Sequence, residues 1–452
     1  MDYTTPAALG ILLFTLFLMI KRPFGLRIGY AAGMGAAASL ILGTVTLGEA
    51  ATAFKDIWDA ALAFIGIVAL SVVLDAMGFF RWAALRVVKL ARGSGVRLYF
   101  YVSLLTATVS ILFANDSAVL ILTPIVLEII IQLRIDAKGR LAYLFAAGLI
   151  ADTAAMPLIT SNPINIVSAD FFKYSFIDHL VFMGPVAVAT IASSMLLVFV
   201  FFRKKIPRII DVKLVDVLTS GSQVIAPKLL KISFATLVAI DVGYVFASLC
   251  RIPVSLVICS GAVFLLAVYL ASLSKVAVIT GERKGLMRLA REINWDMVLF
   301  MLSIFLVVQG LTKVGITEFM ASAFMQTNAL PSVLGVLVPS LIVTVGASFL
   351  NNWPMTILGL LSIKQAVATA GLGGQALTGL VFSNVIGNNL GPHFFPLGSL
   401  AILMWMETMR RKGVNISLKE YLKVGAVLSI VEVAIASLVL WAELSLGFTL
   451  SI

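Results

Sequence analysis

Long apolar runs recur from one end of the chain to the other, and the polar residues gather in short stretches between them. An α-helix needs about 20 apolar residues to cross the hydrocarbon core of a bilayer. Apolar runs of this length predict ten long helices. They are placed at 6–20, 26–47, 57–78, 141–168, 178–202, 232–250, 253–273, 295–317, 376–408 and 424–447.

Two further apolar segments, 98–133 and 332–365, have polar residues in the middle. Each segment is long enough to enter the membrane and leave it again. We predict that both are re-entrant helical hairpins, with tips at Asn115-Asp116 and Asn351-Asn352. The fold class is then an all-α polytopic membrane protein with about ten crossings and two hairpins.

Composition supports the membrane assignment and charge gives an orientation. The 452 residues are 61% hydrophobic and only 12% charged, which leaves too little polar surface for a soluble domain. The net charge of +11 could suggest nucleic acid. However, 28 of the 33 Lys and Arg residues fall in loops that share one side if both hairpins return to the side they entered from. The positive-inside rule makes that side cytoplasmic. We therefore expect a lipid bilayer around the chain, both ends outside, and no nucleic acid partner.

The chain contains an internal repeat. Trp58-Asp59 matches Trp295-Asp296 at an offset of 237 residues, and Gly78 matches Gly315 at the same offset. With a one-residue slip, Asn115-Asp116 matches Asn351-Asn352 and Asp152-Thr153 matches Asn388-Asn389. Five crossings and one hairpin in each half would make the second half run upside down, as in many secondary transporters. We predict a first inverted repeat at 1–210, a cytoplasmic linker at 211–231 and a second inverted repeat at 232–452.

Four polar clusters lie inside the apolar sequence, at the two hairpin tips and in helices 141–168 and 376–408. Pro and Gly accompany them, so both helices should be broken. Broken helices in a membrane expose backbone groups that must face protein or a water-filled cavity, and they commonly line a substrate site. The predicted substrate-binding residues are Asn115, Ser117, Thr153, Ser161, Asn162, Asn165, Asn351, Asn352, Asn388, Asn389 and His393.

Asp116 and Asp152 are the predicted proton-coupling residues. An ionised carboxylate at the bilayer centre costs about 2.5–3.5 kcal/mol or more, so such a group can alternate between charged and neutral forms. The repeat pairs them with Asn352 and Asn388, which do not titrate. Proton exchange is therefore expected in the first half alone. A purely structural hydrogen-bonding role is the alternative.

Three smaller predictions concern helix caps and helices that lie on the membrane surface. Asp59 and Asp296 are expected to cap the start of their own helices, where a carboxylate complements the helix dipole. The basic, amphipathic stretch 79–97 is expected to be an interfacial helix on the cytoplasmic leaflet, and 414–423 could be a second one.

Several chemistries are disfavoured. Only two cysteines are present, Cys250 and Cys259, so one chain cannot form a site of three thiolates, and no metal site is predicted. No phosphate-binding P-loop is found, so we expect a secondary transporter rather than an enzyme or primary pump, driven by a proton gradient without a cofactor. An intramembrane aspartyl protease is disfavoured because Asp152 lacks the Gly-x-Gly-Asp motif of those enzymes.

Three stretches carry a resemblance to a known family: FANDSAVLILTPIV at 113–126, GLIADTAAMPLITSNPINIVSADFF at 148–172 and FSNVIGNNLGPHFFPLGSLAILMW at 382–405. They resemble the arsenite efflux pump (ArsB) family within the ion transporter superfamily. The resemblance implies export of arsenite and antimonite from the bacterial cytoplasm across the inner membrane, in exchange for protons. It also implies that a cytoplasmic arsenite-stimulated ATPase can dock on some members.

The alternative within the same superfamily is a sodium/proton antiporter or a sodium-coupled anion carrier. Related sodium-coupled carboxylate transporters have Ser-Asn-Thr at both hairpin tips, whereas this chain has Asn115-Asp116-Ser117 and Asn351-Asn352-Trp353. Lys and Arg are also missing from the tips, which suits a neutral ligand better than a dicarboxylate.

Overall fold

The apolar segments form helices throughout the computed structural model, which describes residues 4–219, 224–250, 252–328, 330 and 333–450. Within these ranges the secondary structure is helical, and the only β-type pairing is an isolated bridge between Ser94 and Ile209. The all-helical fold class is confirmed.

Ten α-helices lie within residues 4–219. They are α1 Thr4–Lys21, α2 Ile28–Ile41, α3 Leu47–Ala76, α4 Phe79–Ala91, α5 Gly95–Ser117, α6 Thr123–Gln132, α7 Ala137–Thr153, α8 Pro163–Phe172, α9 Phe176–Phe202 and α10 Val212–Thr219. A π-helical turn at 118–122 joins α5 to α6.

Eleven more α-helices follow. They are α11 Pro227–Leu249, α12 Val254–Ala271, α13 Leu273–Thr280, α14 Leu286–Glu292, α15 Trp295–Leu311, α16 Ile316–Asn328, α17 Leu334–Leu350, α18 Asn352–Ala370, α19 Gly374–Phe394, α20 Leu400–Arg411 and α21 Leu418–Ser445.

Seven helical segments of the described residues are long and apolar enough to cross a membrane. Three shorter apolar helices, at 5–21, 28–41 and 334–350, accompany them. The seven are Ile57–Ala76, Gly95–Gln132, Phe176–Phe202, Pro227–Leu249, Val254–Ala271, Trp295–Val314 and Leu418–Ser445.

Both predicted hairpins contain a sharp backbone break at a residue that is not glycine. Ala114 has φ 63° and ψ 157°, and Asn351 has φ 79° and ψ 149°. This region of φ and ψ is populated almost only by glycine and costs about 1–3 kcal/mol for other residues. The chain therefore holds a strained conformation at the two polar tips.

The two breaks lie 237 residues apart, and the one-residue slip in the predicted repeat is wrong. The short 3₁₀ turns that follow, Ile159–Ser161 and Pro396–Gly398, are separated by the same 237 residues. The positive-φ residue and the 3₁₀ turn are thus equally far apart in each half, although the helices before these turns end 241 residues apart, at Thr153 and Phe394. In this register Asn115 corresponds to Asn352, and Asp116 corresponds to Trp353 instead of Asn352.

The same register relates two helices of 13 residues. α4 follows Gly78 with φ 88°, and α16 follows Gly315 with φ 75°. The side chains of Phe79 and Phe80 in α4 are buried, while Arg81 is part of an exposed ion pair with Glu128. The predicted interfacial helix at 79–97 therefore ends earlier, at Ala91, and α5 begins at Gly95. The stretch 414–423 is no separate helix, because α21 runs unbroken from Leu418.

The prediction that Asp59 and Asp296 stand at the start of their own helices is confirmed for Asp296, which lies in the first turn of α15 after the cap Asn294, and is wrong for Asp59. α3 begins at Leu47, where Thr46 and Glu49 form a capping box, so Asp59 lies well inside its helix. The Asp59 carboxylate accepts a hydrogen bond from the backbone N–H of Ser255 at the start of α12 (3.1 Å). Asp296 accepts one from Gly29 at the start of α2 (3.0 Å). Each carboxylate caps a helix of the other half, because α3 packs on α12 and α15 packs on α2.

Both predicted broken helices are confirmed. α7 ends at Thr153 and α8 begins at Pro163; α19 ends at Phe394 and α20 begins at Leu400. Asn162 and Ser399 precede the second parts and accept hydrogen bonds from the backbone N–H groups of Ile164 (3.3 Å) and Ile402 (3.4 Å). Local capping by short polar side chains thus restarts each helix after its break.

Candidate functional site

Asp152 lies at the C-terminal end of α7, where the first broken helix stops. It is 2% exposed. Asn115, one residue after the break at Ala114, donates from its side-chain amide to Asp152 Oδ1 (2.6 Å). Ser399, the cap of α20, reaches the same oxygen from the other half (3.4 Å). The backbone break at Ala114 and both broken helices therefore meet at this carboxyl group.

His393 lies in the last turn of α19, on the other side of Asp152. Its Nε2 atom is 3.8 Å from Asp152 Oδ2. Its Nδ1 atom is 2.8 Å from Oε2 of Glu432 in α21. Thr153 donates its hydroxyl to the other oxygen of Glu432, Oε1, also at 2.8 Å. The imidazole thus sits between two carboxyl groups that belong to different halves of the chain.

Glu432 is a site residue that the sequence reasoning missed. It is fully buried, and it shows that the expectation of site carboxyls from the first half alone is wrong. A signal was present, because Glu432 is an isolated acid in the apolar run LSIVEVAIASLVL of the last long helix. An ionisable residue inside a transmembrane helix is a functional candidate by default.

Two polar atoms in this cluster face each other without a hydrogen bond. Asp152 Oδ2 and His393 Nε2 are both buried and have no hydrogen-bond partner among the described residues. Their separation of 3.8 Å is about 1 Å longer than a hydrogen bond. Buried polar groups are rarely left unpaired, so a shift that closes this gap would be favourable.

The two broken helices are also joined by asparagine side chains. Asn162 donates to Asn389 Oδ1 (3.0 Å), and Asn389 donates to Asn165 Oδ1 (3.0 Å). Asn165 in turn donates to the backbone carbonyls of Ala155 and Leu158 within the break. The polar residues that were predicted as substrate ligands therefore bond to one another across the two halves.

The other predicted ligands are all buried, but they lie around this centre instead of in one contact set. Ser117 donates to Ser71 of α3, and Ser161 donates to the Ile111 carbonyl in α5. Asn351 donates to the carbonyls of Leu397 and Gly398 in the second break.

Two asparagines keep unused acceptors. Oδ1 of Asn352 and Oδ1 of Asn388 have no partner among the described residues. The amide of Asn388 bonds only to Asn384, one turn earlier in α19. Asp116 is 9% exposed, and its backbone N–H is bonded to Asn115 Oδ1 (3.0 Å). Its carboxyl group lies within electrostatic range of Asp152.

The chemistry of the cluster is acidic and amide-rich. Within the described part of the chain, none of the hydrogen bonds or ion pairs of Asp152, His393 or Glu432 involves a Lys or Arg side chain. The described residues also include no group of three His, Cys, Asp or Glu side chains arranged to hold a metal ion. Cys250 is exposed and Cys259 is partly buried, and neither forms a disulfide.

A cavity of about 640 Å³ approaches the first break from one end of the helix bundle. Its wall includes Ile159 of the break together with Trp58 and Asp59 of α3. Lys55 and Lys173, two of the five basic residues outside the predicted cytoplasmic loops, also line it. The site itself is closed: Asp152 is 2% exposed and His393 and Glu432 are 0% exposed.

Comparison with known proteins identifies relatives over almost the whole chain. The sequence model of the family described as arsenical pump membrane protein (ArsB) matches residues 7–444. An Escherichia coli protein named arsenical pump membrane protein is 37% identical over 453 residues, which cover 98% of this chain and 99% of that protein. A Yersinia enterocolitica protein of the same name is 35% identical and covers 97% of this chain and 99% of its own length.

A similar fold is found among solved structures. The Alcanivorax borkumensis YdaH transporter, described as having an unusual topology, superposes with a TM-score of 0.54 and 14% sequence identity. The match covers 88% of each chain. At this identity the likeness concerns the fold alone.

Proposed function

Because the chain belongs to the arsenical pump membrane protein (ArsB) family and is an arsenical transporter of the membrane, we propose that it exports arsenite from the cytoplasm in exchange for protons, with antimonite as a second substrate. The observation that carries the proposal is the buried cluster around Asp152, where a hairpin tip and both broken helices meet and none of the hydrogen bonds or ion pairs of Asp152 among the described residues involves a Lys or Arg side chain.

The chemistry of the substrate fits this environment. Arsenite at neutral pH is mostly an uncharged trihydroxide, so it needs hydrogen-bond partners instead of a counter-charge. The amide groups of Asn162, Asn165 and Asn389 and the acceptors of Asn352 and Asn388 can supply such partners. A dicarboxylate would call for Lys or Arg donors, which the cluster lacks among the described residues.

The buried carboxyl groups suit exchange with protons. Leaving several carboxylates charged in this site would be costly, so uptake of a proton stabilises the empty site. In the proposed cycle, Asp116 or Asp152 takes up a proton from outside, and the site turns toward the cytoplasm. Release of the proton there accompanies binding of arsenite, and the return step carries arsenite out. Protons are the only coupling species required, and no cofactor is involved.

The proton gradient is strong enough for this task. One proton that moves inward gains about 2.3 kcal/mol per 100 mV. Each 1.36 kcal/mol corresponds to a factor of ten, so one proton supports an outward gradient of a neutral solute of about 50-fold at 100 mV. A single exchanged proton therefore suffices for useful resistance.

The proposal places the chain in the bacterial inner membrane with both ends outside, and allows an arsenite-stimulated ATPase to dock on its cytoplasmic face. The basic loops support this orientation, because Lys and Arg concentrate on one side of the predicted topology and the positive-inside rule makes that side cytoplasmic. Protease access to tags on each end of the chain in intact spheroplasts and in everted vesicles tests it.

Arsenite uptake into everted membrane vesicles tests the transport proposal. We expect accumulation driven by an imposed pH gradient, without a requirement for sodium. Asp116→Asn and Asp152→Asn should each be compared with the unchanged chain, and at least one of them should abolish accumulation. If both variants keep full proton-driven uptake, the carboxyl assignment is wrong. If uptake requires a sodium gradient, the sodium-coupled alternative replaces proton exchange.

A further inference from the structure

The pair His393 and Glu432 has no role in the cycle proposed above. Glu432 lies near the middle of α21, a helix of 28 residues, and is fully buried. Both of its carboxylate oxygens are occupied, one by Thr153 and one by His393, each at 2.8 Å. Burying an ionisable group in this way is costly unless its partners are well placed, so the arrangement calls for a function.

The geometry forms a continuous line of titratable groups. It runs from Asp152 at the end of α7, through the imidazole of His393 in α19, to Glu432 in α21. Its only gap is the 3.8 Å between Asp152 Oδ2 and His393 Nε2, the two atoms that lack hydrogen-bond partners. A movement of about 1 Å would bring them to hydrogen-bond distance.

No other charged group competes for Glu432 among the described residues. Of the helices packed against α21, α19 contributes His393, α9 contributes Ser194, which bonds to Thr153, and α17 contains no Asp, Glu, His, Lys or Arg. Asp152 of α7 is within electrostatic range of Glu432, as is Tyr421 on its own helix, whose hydroxyl donates to the Pro392 carbonyl. A proton on this line can therefore rest on either of two carboxyl groups, with the imidazole between them.

We propose that Glu432 shares the coupling proton with Asp152 through His393. This inference rests on the proposed proton exchange. When the gap closes, the Oδ2–H bond of Asp152 breaks as a His393 Nε2–H bond forms. At the same time the Nδ1–H bond of His393 breaks and a Glu432 Oε2–H bond forms. The imidazole is neutral before and after, in its other tautomer, and the proton has passed from the first half of the chain to the second.

The transfer links the protonation state to the contact between the two broken helices. Asp152 and Thr153 belong to the end of α7, and His393 belongs to the end of α19. When the proton rests on Glu432, Asp152 is left charged between Asn115 and Ser399. Arsenite hydroxyl groups can then donate to it. The position of the proton on this line thus decides when the substrate site is ready to bind.

Purified protein in liposomes tests the inference with two assays. The first is arsenite accumulation driven by a pH gradient of about 1.7 units, which equals 100 mV for one proton. The second is arsenite counterflow without a gradient, which requires binding and turning of the site but no net proton movement. The variants are Glu432→Gln and, as a matched control, Glu443→Gln. Glu443 lies in the same helix, and its carboxyl group has no hydrogen-bond partner among the described residues.

We expect the unchanged chain and Glu443→Gln to accumulate arsenite about 50-fold. Glu432→Gln should show a ratio near one while it retains counterflow, and Glu432→Asp should restore part of the accumulation because it keeps a carboxyl group. If Glu432→Gln does not purify as a monodisperse protein, His393→Gln interrupts the same line and takes its place, with the same loss of accumulation expected.

Two results separate the inference from the proposed function. Full accumulation by Glu432→Gln or by His393→Gln overturns the role of this line, while proton exchange itself stands. A lack of proton-driven accumulation in the unchanged chain overturns the proposed function, and the inference with it.

Discussion

Replacing Asn389 with alanine removes the side chain that joins the two broken helices. In the folded protein its amide accepts a hydrogen bond from Asn162 and donates one to Asn165, both at 3.0 Å. All three side chains are at most 4% exposed. Asn389→Ala therefore leaves the Nδ2 of Asn162 and the Oδ1 of Asn165 buried without these partners.

The cost follows from those two atoms. A buried polar group that loses its partner costs about 1–3 kcal/mol, so the variant should lose about 2–6 kcal/mol of unfolding free energy. The neighbouring Asn388 is the matched control. Its amide bonds only to Asn384 within α19, and its own Oδ1 is already unpaired. Asn388→Ala removes the unpaired Oδ1 of Asn388 and leaves Oδ1 of Asn384 unpaired instead. The net change in unfolding free energy should therefore be close to zero.

Titration with sodium dodecyl sulfate in mixed micelles measures both variants. The buried residues Trp353 and Trp405 allow the transition to be followed by fluorescence. Equal destabilisation by the two substitutions, or a loss below about 1 kcal/mol for Asn389→Ala, would show that the asparagine bridge does not hold the two halves together.

Two further predictions use the same titration. Asp59→Ala and Asp296→Ala should each lower the unfolding free energy by about 1 kcal/mol, because each removes a helix cap. Asn at either position should recover most of the loss, since it keeps the Oδ1 acceptor. A loss from only one of the two alanine variants would contradict the paired caps. Ala114→Gly should raise the unfolding free energy by up to about 2 kcal/mol. The substitution relieves about 1–3 kcal/mol of backbone strain and costs about 0.5–1 kcal/mol in chain entropy. Destabilisation would show that the backbone at this break is unstrained.

The interruptions of the helices could be predicted from the sequence because their signals are local. Pro and Gly stand beside polar side chains at both broken helices, and the structure has each break where this pattern predicts it. The conformation of Ala114 could not be predicted, because alanine is a good helix former and only tertiary contacts hold it at positive φ.

The partners of the acidic residues could not be predicted, because they are distant in the chain. Glu432 bonds to His393, 39 positions away, and to Thr153, 279 positions away. Asp59 caps a helix that begins 195 positions later, at Val254. Sequence spacing identifies the ends and the faces of helices, but it carries no information on which helices of the two halves pack together.

Asp59 and Asp296 each cap a helix of the other half, and this has a consequence for how the protein is made. The backbone N–H of Gly29 is capped by Asp296, so the first turn of α2 lacks its partner until most of the chain has been synthesised and inserted. Asp59 is synthesised before Ser255, so the cap of α12 is available when that helix forms. Assembly should therefore finish only when the late helices dock on the early ones, and neither half expressed alone should persist as a stable protein. Co-expression of the two halves as separate polypeptides should restore both.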